Sequence, residues 1–173
     1  MGMTELLMTP KTIAAVLLIL LSIGTDLRTQ KVPNWLILFG FALALVLIAI
    51  FDGKSGIWPT LGSILAATLF AFPLYSMRAI GAGDVKLLWI LSLLVSWNII
   101  VTTILASMLW GACLGIFREI LAGRGRAFFK NVLLVLQYKG PERNKLASIP
   151  YTVAIFFGLM TSLSMMTAGI SWV

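Results

Sequence analysis

The sequence predicts an all-α protein that crosses a membrane several times. Of its 173 residues, 60% are hydrophobic and 11% are charged, whereas a soluble chain is normally about 25% charged. The mean hydropathy is +1.03, and several uncharged runs approach the roughly 20 residues that a helix needs to cross a bilayer. We expect six transmembrane helices in a single domain, residues 1–173, with a short interfacial helix in a long basic loop.

The first three spans are separated by short polar turns. The first begins near Pro10, a residue favoured in the first turn of a helix, and continues from Lys11 towards Lys31, a length of roughly 30 Å as helix. Residues 35–51 form the second span and residues 57–75 the third. The first helix then carries Asp26 slightly inside the membrane interface.

The next apolar run is too long for one span. Residues 85–117 contain a single charged side chain, Lys86, and are interpreted as two short spans with a turn at residues 96–98. Residues 118–145 carry seven Lys and Arg, and the apolar stretch 128–138 among them favours an interfacial helix. The sixth span covers about residues 149–173.

The distribution of Lys and Arg predicts the orientation. With six spans, the first, third and fifth loops hold eleven of these residues and the other side holds two. This excess places those loops in the cytoplasm and both termini outside. A five-span alternative, with residues 85–117 as one tilted helix, gives a weaker nine against four. The net charge of +7 is then explained by topology and by anionic lipids at the basic loop, without nucleic acid.

The residue types that are missing limit the possible chemistry. The chain has no histidine and one cysteine, Cys113. Ser-His and Cys-His pairs, HExxH zinc sites and internal disulfides are therefore excluded. We expect no metal and no cofactor, so any catalysis must use Asp, Glu, Lys, Ser or Tyr.

Two of the six acidic residues are predicted to lie at the same cytoplasmic boundary. Asp26 is near the end of the first span and Asp84 precedes the fourth, while Asp52 lies on the opposite face. Two carboxyl groups that face each other share a proton. The ionised one can take a proton from water as the water attacks a carbonyl, and the protonated one can assist at the carbonyl oxygen and the leaving amine.

Each acid also has a simpler structural explanation. Asp84 could be the N-cap of a helix, where Asp is favoured. Asp26 could be an acid at a helix end, paired with Arg28 or Lys31. For either residue alone these explanations are as plausible as a catalytic role.

The residues around Asp84 also allow more than one interpretation. Gly81 and Gly83 could simply form a turn, or their missing side chains could let a substrate backbone approach Asp84. Lys86 is interpreted as an interface residue with a snorkelling side chain. It lies two positions after Asp84, on the opposite side of a helix, and is not expected to be catalytic.

Three stretches resemble the type IV prepilin peptidase family of GxGD membrane aspartic peptidases. They are "GAGDVKLLW" (81–89), "DLRTQKVPNWLIL" (26–38) and "SIPYTVAIFFG" (148–158). The resemblance implies a protease of pilus biogenesis and protein secretion in the inner membrane. Such an enzyme removes the basic leader from type IV prepilins and pseudopilins on the cytoplasmic side. It further implies that Asp26 and Asp84 are catalytic and that four residues shape the loops or bind substrate: Gly81, Gly83, Pro33 and Asn34.

One departure from the long family members is informative. Those carry an N-terminal domain with paired CxxC motifs that is linked to N-methylation, whereas here Asp26 comes too early and there is one cysteine. The chain therefore resembles the short forms without methyltransferase activity, either the CpaA/TadV-like form or the archaeal preflagellin peptidases. Two alternatives stay open: a non-enzymatic assembly scaffold or small transporter with structural acids, and a Ser-Lys protease using Lys86, which lacks an obvious serine on the same loop.

Overall fold

The computed structural model describes residues 9–29, 32–76, 80–121, 123 and 151–169, and all the regular structure in these ranges is helical. A 3-10 turn at Gly53–Gly56 accompanies six α-helices: α1 (Pro10–Thr29), α2 (Asn34–Phe51), α3 (Ile57–Ser76), α4 (Ala82–Leu94), α5 (Trp97–Leu121) and α6 (Tyr151–Thr167). The expected all-α class is confirmed.

Four of these helices are long and apolar enough to cross a membrane: α1, α2, α3 and the part of α5 from Trp97 to Arg118. Helix α6 is apolar but has 17 residues, and α4 has 13, or roughly 20 Å. The chain is therefore a multi-pass membrane protein. The count of six spans stays a prediction, and the interfacial helix expected at 128–138 lies outside the described residues.

The long apolar run 85–117 is divided into two helices, as its length predicted. Helix α4 ends at Leu94, Val95 has an extended backbone (φ −119°, ψ 159°), and α5 begins at Trp97. The alternative of one tilted helix over this run is therefore wrong. Helix α4 also begins three residues earlier than expected, at Ala82, so that Asp84 lies inside its first turn.

Helix α4 is the central helix of the bundle. It packs against α1, α2, α3 and α5, and its buried side chains point in every direction around its axis: Val85, Leu87, Leu88, Ile90, Leu91, Ser92, Leu93 and Leu94. A helix that is apolar all round is expected in such a position. The surrounding helices leave large apolar side chains exposed, such as Leu38 (73%), Trp58 (80%) and Leu65 (70%), on surfaces suited to lipid.

Helices α5 and α6 pack antiparallel and very closely. The Ser162 hydroxyl donates to the carbonyl of Ile99 at 3.1 Å, while Tyr151, at the other end of α6, lies against Gly111. Between them, a Cβ placed on Gly158 would lie 2.6 Å from the Thr103 carbonyl oxygen. Small residues commonly permit such close helix packing in membranes. This packing fixes where α6 begins, which matters for the site.

Candidate active site

The structure brings the predicted site residues together at one end of the bundle. Helix α1 ends there, and α2 and α4 begin there, around an open cavity of about 620 Å³. The cavity is lined by Asp26, Thr29, Val32, Pro33, Asn34, Gly81, Ala82, Gly83, Asp84 and Lys86. All six residues singled out from the sequence for this site are among them.

Asp26 is the buried member of the carboxylate pair. It lies one turn before the end of α1 and is 6% exposed. Its Oδ2 accepts a hydrogen bond from the hydroxyl of Thr152, on α6, at 2.7 Å. Arg28 is exposed, and within the described residues Asp26 forms no ion pair with it; Lys31 lies outside them. Pairing with Arg28 therefore does not account for Asp26.

Asp84 occupies the third position of α4 and closes its first turn. The backbone N–H of Gly81 donates to Asp84 Oδ2 at 3.0 Å. The N-cap of α4 is Gly81, which has an extended backbone (φ −82°, ψ 160°). The interpretation of Asp84 as the N-cap is therefore wrong, because Asp84 lies three residues further into the helix. The carboxylate still stabilises the start of the helix, where N–H groups lack partners and negative charge is favoured. One of its two oxygens is thereby held in place.

The surroundings of Asp84 favour its protonated form. Asp84 lies outside the four long helices, at the mouth of the cavity, and burial raises its pKa to about 6. The hydrogen bond from Gly81 opposes this rise, and the negative charge of Asp26 adds to it. The two carboxyl groups line the same cavity, and each disfavours the ionised form of the other.

The two glycines before Asp84 differ in what surrounds them. A Cβ on Gly81 would lie 3.2 Å from Asp84 Oδ2, while one on Gly83 would make an ordinary contact with Val32 at 3.4 Å. Gly81 has a φ that any residue can adopt, so the turn alone does not require glycine there. At Gly81 the missing side chain leaves room for the carboxylate.

Lys86 lines the same cavity as Asp84, although it lies two positions further along the helix. Its side chain is exposed, and Nζ donates to Asn34 Oδ1 over a long distance of 3.5 Å. The cavity extends from the first turn of α4 across to α2, which explains how both residues border it. A cation therefore lies on the rim of a cavity that contains two acids.

A second polar cluster marks the opposite end of the bundle. Lys11 donates to Asp52 in an ion pair that is partly buried. Both residues line a cavity of about 390 Å³ that also contacts the end of α4, at Leu93 and Leu94. Asp52 and Asp84 thus lie near opposite ends of α4, and the expected separation of Asp52 from the other two acids is confirmed.

Sequence reasoning did not single out Thr152. It follows Tyr151, whose hydroxyl shares a hydrogen bond with Ser107 Oγ at 3.0 Å. The alternating direction of six spans would have placed the start of the last one at the same end as Asp26, so a hydroxyl in its first turn was an available signal.

In the described part of the chain, no group of three or more His, Cys, Asp or Glu side chains could hold a metal ion.

Comparison with known proteins gives one match. A sequence model described as the type IV leader peptidase family matches residues 12–116, more than half of the chain. The matched segment includes Asp26 and Asp84 and ends before α6. No curated protein and no solved structure matches the chain significantly.

Proposed function

Because the chain belongs to the type IV leader peptidase family, we propose that it is an aspartic endopeptidase that removes the basic leader from type IV prepilins or pseudopilins. The observation that carries the proposal is the position of Asp26 and Asp84. These two acids from distant parts of the sequence line one cavity at the end of a bundle of apolar helices.

The different surroundings of the two acids assign their roles in the proposed mechanism. Asp84, whose pKa burial raises to about 6, holds the proton, and Asp26 is assigned the role of the base. A water between them attacks the scissile carbonyl carbon and gives a proton to Asp26, while Asp84 protonates the carbonyl oxygen. When the tetrahedral intermediate collapses, the C–N bond breaks, Asp26 returns its proton to the departing amine, and the hydroxyl proton returns to Asp84.

The cavity suits a substrate cut at a membrane boundary. It opens beside the first turn of the central helix α4, and its lining combines the two acids with Val32, Pro33 and the small residues of the GAG segment. A prepilin changes from a basic leader to an apolar helix at the cleaved bond. The proposal therefore places that bond in this cavity, with the cavity at the membrane interface.

The charge distribution supports a cytoplasmic site. Helix α6 begins beside Asp26, and α5, which is antiparallel to it, therefore ends at the same end of the bundle. Residues 118–145, which include the end of α5, contain seven Lys and Arg. Basic loops favour the cytoplasmic side, and we propose that the active site faces the cytoplasm, with six spans and both termini outside.

Replacement of the two acids tests the proposed activity. Asp26→Asn and Asp84→Asn each keep the size of the side chain but prevent it from exchanging a proton. Because the pair acts as a unit, each single change should abolish cleavage of a prepilin-type substrate nearly as completely as the double change. The measurement is product formation at equal amounts of folded, purified protein.

Asp52→Asn is the matched control. This change disrupts the pair with Lys11 at the far end of the bundle, so it can lower stability but should leave the rate of cleavage per folded molecule near that of the wild type. If either active-site variant cleaved at a near-normal rate, the aspartic mechanism would be wrong. A scaffold or transporter with structural acids would then take its place.

A further inference from the structure

The hydroxyl of Thr152 joins the last described helix to the carboxylate pair. Thr152 is fully buried and Asp26 is 6% exposed, and the distance between Thr152 Oγ1 and Asp26 Oδ2 is 2.7 Å. Hydrogen bonds to an ionised carboxylate are shorter and stronger than those between neutral groups. This contact connects α6 with α1 at the wall of the cavity.

Most other hydroxyl groups in the described helices donate a hydrogen bond to a backbone carbonyl of their own helix. Those of Thr68, Thr102 and Thr161 each donate to the carbonyl four residues earlier, at 2.8 Å. Thr152 is the second residue of α6, so no residue of the helix lies four positions before it. Its hydroxyl is therefore available for a partner outside the helix, and the packing directs it to Asp26.

Each acid in the cavity has one oxygen fixed by the protein. Asp26 Oδ2 accepts from Thr152 and Asp84 Oδ2 accepts from Gly81. Within the described residues, the second oxygen of each carboxyl group makes no hydrogen bond and can exchange protons with water and substrate. A carboxylate held through one oxygen cannot rotate freely, so the other oxygen keeps one orientation relative to the cavity.

We propose that Thr152 is a positioning residue that orients Asp26 for proton transfer. The inference rests on the proposed peptidase activity. It adds a residue from α6, which lies beyond the segment 12–116 that matches the family. Thr152 acts through Asp26 and makes no contact with the reacting atoms.

Three variants separate positioning from packing. Thr152→Val keeps the shape of the side chain and removes the hydroxyl, whereas Thr152→Ser keeps the hydroxyl and removes a methyl group. Thr103→Val is the matched control, because Thr103 is also fully buried but its hydroxyl has no partner among the described residues. The same chemical change is thus made once with and once without the loss of a hydrogen bond.

Steady-state cleavage of a synthetic peptide, with a basic leader, a glycine and an apolar helix, is the first measurement. The loss of a hydrogen bond to a charged group predicts that Thr152→Val lowers kcat by roughly 10-fold or more, with KM nearly unchanged. Thr152→Ser should recover most of the lost kcat, and Thr103→Val should match the wild type. A normal kcat in Thr152→Val, or a Thr152→Ser variant as slow as Thr152→Val, would overturn the positioning role.

Infrared spectroscopy of the substrate-free protein is the second measurement. The carboxylate band of Asp26, identified by its loss in Asp26→Asn, should shift in Thr152→Val and stay in place in Thr103→Val. An unshifted band would contradict the hydrogen bond itself. If the wild type failed to cleave the peptide, the proposed function would fall and the positioning role with it, whereas normal cleavage by Thr152→Val would remove the positioning role alone.

Discussion

Asp26 and Asp84 have the same side chain but different surroundings. Asp26, on α1, is buried and accepts a hydrogen bond from the Thr152 hydroxyl of α6. Asp84 lies in the first turn of α4 and accepts a hydrogen bond from the backbone N–H of Gly81. Burial favours the protonated form of Asp84, and the nearby Asp26 adds to the effect. Two chemically equal groups can therefore take the roles of acid and base without a metal or a histidine.

This difference predicts the pH dependence of cleavage. In the proposed mechanism Asp84 carries a proton when the reaction begins, and burial raises its pKa to about 6. A group with a raised pKa keeps its proton below that value and loses it above, so kcat should fall as the pH rises through about 6. Measurement of kcat between pH 4.5 and 8, with a check that the protein stays folded, tests this prediction. A rate that increases steadily over this interval would assign the proton to a different group.

At the scale of residues, the sequence predicted the acids and missed Thr152, which donates a hydrogen bond to Asp26. Asp26 and Asp84 stand out because acids are rare near lipid and because the chain has no histidine. Thr152 and Lys86 do not stand out, since threonines are common in apolar helices and a lysine at a boundary is expected. Their relation to the site depends on how α6 and α2 pack, which is a tertiary property.

At the scale of elements, helix α4 connects the two polar ends of the bundle. Its 13 residues are fewer than a bilayer requires, and from Leu87 to Leu94 nearly all of its side chains are buried. The length of the run 85–117 predicted that it contains two helices, but it could not predict the start at Ala82. That start depends on the Asp84 carboxylate accepting the N–H of Gly81, a local contact within the first turn of the helix.

The close contact between α5 and α6 predicts a strong effect of Gly158→Ala. The new Cβ would lie 2.6 Å from the Thr103 carbonyl oxygen and 2.8 Å from the Ser107 nitrogen. Both are backbone atoms that cannot rotate away, so the two helices must separate. Overpacking of this kind typically costs about 1–3 kcal/mol, and the midpoint of thermal unfolding in detergent should fall clearly.

Gly62→Ala is the control for this change. Gly62 lies within helix α3, and a Cβ there meets nothing within 4 Å. Because alanine is the better helix former, Gly62→Ala should unfold at the wild-type temperature or above it. Equal midpoints for the two variants would contradict the close packing of Gly158, and with it the placement of Thr152 beside Asp26.

At the scale of the whole molecule, the bundle has two polar ends that differ in their charged side chains. One holds the acid pair and the connection to the basic segment 118–145, and the other holds the ion pair of Lys11 and Asp52. Composition and hydropathy were enough to predict an all-helical, multi-pass protein. The count of Lys and Arg predicts which end faces the cytoplasm, and this orientation is needed for the removal of a cytoplasmic leader.

Labelling of single cysteines with a membrane-impermeant maleimide tests the orientation. In a Cys113→Ser background, Ser55→Cys should react in intact cells, because Ser55 is exposed at the end with Lys11 and Asp52. Ser55 is a better site than Gly56, where a Cβ would lie 2.2 Å from the Cβ of Asp52. Gly140→Cys, between α5 and α6, should react only after the membrane is permeabilised. The reverse pattern would place Asp26 and Asp84 on the outer side, where they could not reach a leader in the cytoplasm, even if the purified protein cleaved the peptide in detergent.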